Sequence, residues 1–95
     1  MPSFIIAQIK VTDPKPYEEY VKKNTELVEK FGGRFLVRGG NMDILEGECH
    51  YPRTIILEFP CIEDARRWYN SPDYAAIKSI RLATADSTLI LVEGT

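Results

Sequence analysis

EFPCIEDARRWYNSPDYAAIKSIR, residues Glu58–Arg81, decides the fold. Glu58-Phe59-Pro60 closes an apolar run, and a proline there ends a strand because it has no N–H to give a neighbour. Glu63 and Asp64 then stand where a helix N-terminus favours negative charge. A helix is predicted from near Ile62, with Ile62, Ala65, Trp68 and Tyr69 on its apolar face. Ser71-Pro72 breaks it. Ser71 is a capping residue, Pro72 suits a first helical position, and Tyr74, Ile77, Ile80 and Ala83 carry the apolar stripe into a second piece.

Upstream, Phe4 to Val11 (FIIAQIKV) alternates as a strand, with Ile5, Ala7, Ile9 and Val11 on one face and Phe4, Ile6, Gln8 and Lys10 on the other. Thr12-Asp13-Pro14 supplies cap candidates and a first-turn proline, and Gly32-Gly33 supplies the left-handed stop after Phe31. Between them Tyr17, Tyr20, Val21, Leu27, Val28 and Phe31 repeat at three and four, which makes a helix with one buried face. Arg34 to Arg38 (RFLVR) reads as a second strand ended by Gly39-Gly40, Arg53 to Phe59 (RTIILEF) as a third, and Leu89 to Val92 as a fourth. Asn41 to Pro52 reads as loop, with a short strand at Met42 to Leu45. The order βαββαβ, with no internal repeat or linker, predicts an antiparallel sheet with both helical regions on one face, a ferredoxin-like α+β sandwich.

Ninety-five residues fit one domain, 1–95, and a chain this short removes only about 60–65% of its unfolded surface from water, so a partner subunit would enlarge the core. With 44% hydrophobic and 27% charged residues the composition is that of a soluble globular protein, and the Met1-Pro2-Ser3 start lacks a basic leader. The expected compartment is the cytoplasm. A net charge of −2 without a run of like charges lacks the basic footprint of a nucleic-acid or anionic-membrane binder. The same element order serves RNA-recognition modules, but Ile55-Ile56-Leu57-Glu58-Phe59 is aliphatic where stacking rings would be needed.

Several motifs together carry a family resemblance over nearly the whole chain. They are Arg38-Gly39-Gly40, Arg53, Glu58-Phe59, Trp68-Tyr69-x-Ser71-Pro72-x-Tyr74, Arg81 and Val92-Glu93-Gly94. The chain resembles domain-of-unknown-function family 1330, within the dimeric α+β barrel superfamily. That resemblance implies a homodimer whose two sheets face each other as a barrel, with a cavity beside sheet and helices. It implies no established activity.

Residue chemistry gives candidates. Gln8, Arg38 and Glu58 are expected to converge on the sheet face opposite the helices, where a partly apolar, partly polar surface marks an interface or pocket. In one version Arg38 and Glu58 form an ion pair that fixes geometry. In the other they are catalytic candidates, Glu58 as base or orienter, with Arg38, Arg53 or Arg81 holding an anionic group bidentately. Gln8, Arg53, Trp68, Tyr69, Tyr74 and Arg81 are the ligand-binding candidates, although aromatics at helical spacing are more often core than cage. His50, the lone histidine, reads as a loop residue, and Cys49 and Cys61 read as reduced thiols. No metal site and no cofactor is expected, and the glycine pairs lack the lysine of a phosphate loop. Two functions follow. One is a small-molecule binding protein or cofactor-independent enzyme acting on a small organic molecule, anionic if the arginines take part. The alternative is a non-catalytic dimeric module with a structural or regulatory role.

Overall fold

Alternating apolar residues drive Ser3–Val11 into β1, whose odd-numbered side chains are buried under the helices while the even-numbered ones face the opposite side. The computed structural model describes residues 1–95. Pro14–Lys30 forms α1, Arg34–Arg38 β2, Arg53–Phe59 β3, Ile62–Asn70 α2, Pro72–Thr84 α3 and Ala85–Glu93 β4. The sheet runs β2-β3-β1-β4, with every neighbouring pair antiparallel. This is the expected ferredoxin-like α+β arrangement. A single chain leaves the sheet open, with β2 and β4 as edges and no closed barrel.

The helix ends follow local chemistry. Pro14 sits in the first turn of α1, where its missing N–H costs nothing, and Asp13 precedes it in extended conformation without a side-chain capping bond. At the other end Gly32 takes φ +83°, and the Gly33 amide donates to the Val28 carbonyl at 2.9 Å. Ser71 caps α3 through its Oγ, which accepts from the Tyr74 amide at 3.1 Å, and it also separates α3 from α2.

Three boundaries depart from expectation. β4 begins at Ala85 rather than Leu89, because Asp86 and Thr88 project from an exposed face while Ser87 points to the helix side; edge strands tolerate such polar alternation. Met42 to Leu45 is irregular, not strand. Ala83 is exposed, and Arg81 and Thr84 occupy the buried positions at the end of α3 instead. No helix is long and apolar enough to cross a membrane.

The core lies between helices and sheet. Trp68, Tyr74, Phe59 and Val28 are its most deeply buried large side chains. The Trp68 and Tyr74 ring centroids are 4.4 Å apart, and Phe59 lies 5.7 Å from Trp68 on the other side. The aromatic cluster is therefore core first, as helical spacing predicts.

Candidate functional site

One feature of β2 redirects the chemistry of the chain. Arg34 and Phe35 pair with Glu58 and Leu57, but Val37 and Arg38 pair with Ile56 and Ile55, so Leu36 is an extra residue in a β-bulge. The bulge turns Arg38 to the helix side, where its Cζ lies 3.8 Å from the Phe35 ring centroid. Glu58 stays on the open face opposite Phe4 and accepts from Arg34 Nε at 2.7 Å. Gln8 is on that same face but opposite Thr54 and Thr88, four residues along β1. The expected convergence of Gln8, Arg38 and Glu58 therefore does not form, and the partner of Glu58 is Arg34, not Arg38.

The cavity lies on the helix side. Ile5, Ala7 and Ile9 of β1 form its floor with Ile55 and Leu57, and Tyr17, Tyr20, Val21 and Asn24 of α1 form its roof. Phe35, Arg38 and Arg53 stand at the β2–β3 side, and Trp68 and Arg81 close the back. The room the cavity leaves for water centres is about 30 Å³, and it opens to solvent.

Two polar chains run along the wall. Trp68 Nε1 donates to Asn24 Oδ1 at 3.0 Å, which satisfies an indole buried in the core. The Tyr20 and Tyr74 hydroxyls are 2.8 Å apart, Arg81 Nε donates to Tyr74 Oη at 3.3 Å, and an Arg81 terminal nitrogen donates to Ser87 Oγ. Two buried atoms have no hydrogen-bond partner in the chain: Tyr17 Oη and Arg53 Nε.

The charge is one-sided. Arg38, Arg53 and Arg81 line the cavity, and none belongs to an ion pair; the five salt bridges all lie elsewhere. The lining holds no carboxylate, imidazole or thiol. Burial disfavours the Arg81 cation, but the nearby Tyr74 oxygen, its hydrogen bond and Tyr20 outweigh that, and the pKa sits above the ordinary guanidinium value. Arg81 is a permanent cation. Burial pushes Tyr17 up despite the opposing Arg53 and Arg81, and pushes Tyr20 far up with help from Tyr74. Both phenols are neutral donors and acceptors, not bases.

That neutrality has a measurable consequence. Unfolded tyrosines ionise near pH 10, whereas Tyr17 and Tyr20 stay protonated above it in the folded chain. The folded state then holds more protons, so stabilisation present below pH 10 is lost as the pH rises. Denaturant melts should show stability falling above about pH 10 by up to about 1.4 kcal/mol per pH unit for each phenol held neutral. Tyr20→Phe should flatten that alkaline limb; an identical slope in the variant would contradict the assignment.

Of the residues singled out from sequence, Arg38, Arg53, Trp68 and Arg81 meet at the cavity, and Tyr74 reaches it through the Tyr20 bond. Tyr69 is half-buried outside it, beneath Lys78 Nζ at 4.7 Å. His50 is exposed in the loop, and both cysteines are free. Sequence reasoning treated Tyr17 and Tyr20 as packing residues only and passed over Asn24. The overlooked signal was a polar Asn24 on the Tyr17–Tyr20–Val28 stripe, where an amide must find a buried partner.

A model for a domain of unknown function, DUF1330, matches residues 2–95. The chain belongs to the DUF1330 family. No curated protein matches it. Among solved structures, a protein of unknown function from Rhodopseudomonas palustris is 20% identical with a TM-score of 0.81, covering 99% of this chain and 82% of that one. A dimeric ferredoxin-like protein of unknown function from Jannaschia sp. CCS1 is 12% identical, TM-score 0.77, covering 99% and 100%. SnoaB from Streptomyces nogalater, a cofactor-independent oxygenase, is 13% identical, TM-score 0.67, covering 99% and 93%. At these identities the likeness to this DUF1330 chain is one of fold.

Proposed function

We propose that residues 1–95 form one domain that pairs with a second copy through the open sheet face and binds a small organic anion in the cavity beneath α1. The observation that carries the binding reading is the set of three unpaired guanidinium groups around a largely apolar space without a carboxylate. Gathering like charges costs stability unless a ligand offsets them. Arg38 at the mouth and Arg53 inside are the binding candidates; Arg81 supplies positive field through Tyr74. Glu58, on the other face and paired with Arg34, is not placed to act as base on such a ligand. Any cofactor-independent chemistry here would rest on stabilising negative charge that develops in the ligand, as donors do in an oxyanion hole. The oxygenase activity of SnoaB is a fold-level analogy for such chemistry and transfers no substrate. The dimer reading draws on the neighbours described as dimeric.

One observation favours the alternative of a non-catalytic dimeric module. Arg81 is already hydrogen-bonded within the chain, as a purely structural cation would be. Native mass spectrometry of wild type and Arg38→Ala separates the two readings. The binding reading expects a dimer carrying a small anion that is lost on denaturation and depleted in Arg38→Ala, with the dimer intact. A clean wild-type dimer whose melting temperature ignores millimolar organic anions supports the structural module.

A further inference from the structure

The strongest further observation is the pair of buried, unpartnered polar atoms. Tyr17 is 4% exposed, its Oη is hydrogen-bonded to nothing, and Arg53 acts on it electrostatically from across the cavity. Buried polar atoms are nearly always satisfied, and each left unpaired is costly, so two bordering one cavity point to an acceptor that completes both. Arg53 Nε is donor-only, and Tyr17 Oη is free to donate. Arg53 packs against Gly39: a Cβ built there, at φ +67°, would lie 2.9 Å from Arg53 Nε, so a larger residue would push that side chain aside.

The ligand's shape follows from space and donors. Resting on the anion-binding reading above, we infer that the ligand is a small monocarboxylate bound head inward, its carboxylate on Arg53 and Tyr17 and its apolar body toward Phe35, Val21 and Ile55 at the Arg38 side. A planar carboxylate presents two in-plane oxygens to a planar guanidinium. A phosphate ester would bring further oxygens and a second charge against a lining that is mostly hydrophobic, where each unpaired oxygen is penalised.

Isothermal titration at pH 7 with benzoate, benzamide, acetate and phenyl phosphate tests this on the wild-type protein. Benzoate should bind at least about tenfold tighter than benzamide, which lacks the charge, and than acetate, which lacks the apolar body. Tyr17→Phe should weaken benzoate about tenfold and Arg53→Met about a hundredfold, with melting temperatures showing that both variants fold. Phenyl phosphate binding tighter than benzoate overturns the carboxylate assignment while leaving an anion site in place. Benzamide equal to benzoate, or no probe binding at all, overturns both. Because the selectivity series uses wild type alone, a variant that fails to fold leaves the test intact.

Discussion

Trp68→Ala is expected to cost about 3–5 kcal/mol of folding stability, the range for deleting a large aromatic from a packed core. For a domain of this length that lowers the melting temperature by about 15 °C or more. Trp68 is 1% exposed and lies against Phe59, Tyr74 and Tyr69, so its loss leaves a void bordered by rings with no room to collapse. The deletion also strands the Asn24 amide, whose Oδ1 accepts from the indole inside the core. Trp68→Phe keeps much of the volume and removes only that bond, and it should cost about 1–3 kcal/mol, the penalty for a buried group without a partner. Adding Asn24→Leu to Trp68→Phe should return part of the loss, because removing both partners is cheaper than removing one. Urea unfolding of wild type, Trp68→Phe, Asn24→Leu and the double variant gives the cycle. A Trp68→Ala loss under about 1 kcal/mol would mean that α2 and α3 are not held to the sheet by this cluster.

How far the chain could be read before its structure depended on how local each signal was. Strand alternation in Phe4–Val11, the Gly32-Gly33 stop and the Ser71-Pro72 restart are fixed by near neighbours, and each stands where the sequence places it. The start of β4 was missed because Asp86 and Thr88 look like loop residues until β1 pairs with them. The site was half legible. Arg53 and Arg81 were singled out by residue type and they line the cavity. Arg38 was singled out too, but its face was mistaken, since strict alternation from Leu36 puts it on the open side. A single bulged residue reverses that parity, and nothing in Arg34-Phe35-Leu36-Val37-Arg38 signals it, because bulges answer to partner-strand register. Asn24 was legible in principle, as a polar residue on an apolar stripe. The placement of Tyr17 and Arg53 at one cavity was not, since it brings α1 and the start of β3 together across the interior.

The two faces of the sheet carry different physics. On the helix side, Arg38, Arg53 and Arg81 gather without a carboxylate, and the proposed binding rests on that arrangement. On the open side the charges are paired or at the margins, as with Arg34–Glu58, and the centre is apolar. Ile56, Ile6 and Ile90 stand directly across from one another on β3, β1 and β4, flanked by Phe4 and Val92. Ile90 is 55% and Val92 42% exposed in the single chain. A contiguous apolar stripe of this kind is the surface that the proposed pairing through the open face would cover.

Ile6→Lys should therefore convert a dimer into a monomer. Ile6 is half-buried at the centre of that stripe, where a lysine in the lone chain can lift its ammonium into water, so the folded protomer should lose little stability. In a face-to-face pair the same ammonium is trapped among aliphatic side chains, and symmetry places two such charges in one interface. A penalty of several kcal/mol raises the dimer dissociation constant by about a thousandfold or more. Light scattering during size exclusion should give twice the 10.9 kDa chain mass for wild type and the single-chain mass for Ile6→Lys. Glu26→Lys, which also introduces a lysine but on the exposed side of α1, should stay dimeric. If Ile6→Lys remains dimeric at micromolar concentration, the open face is not the interface and the stripe awaits a different occupant. If it is monomeric yet still binds benzoate, pairing and binding are separate properties of the two faces, as expected from the placement of Arg53 and Tyr17 at the cavity between α1 and the sheet.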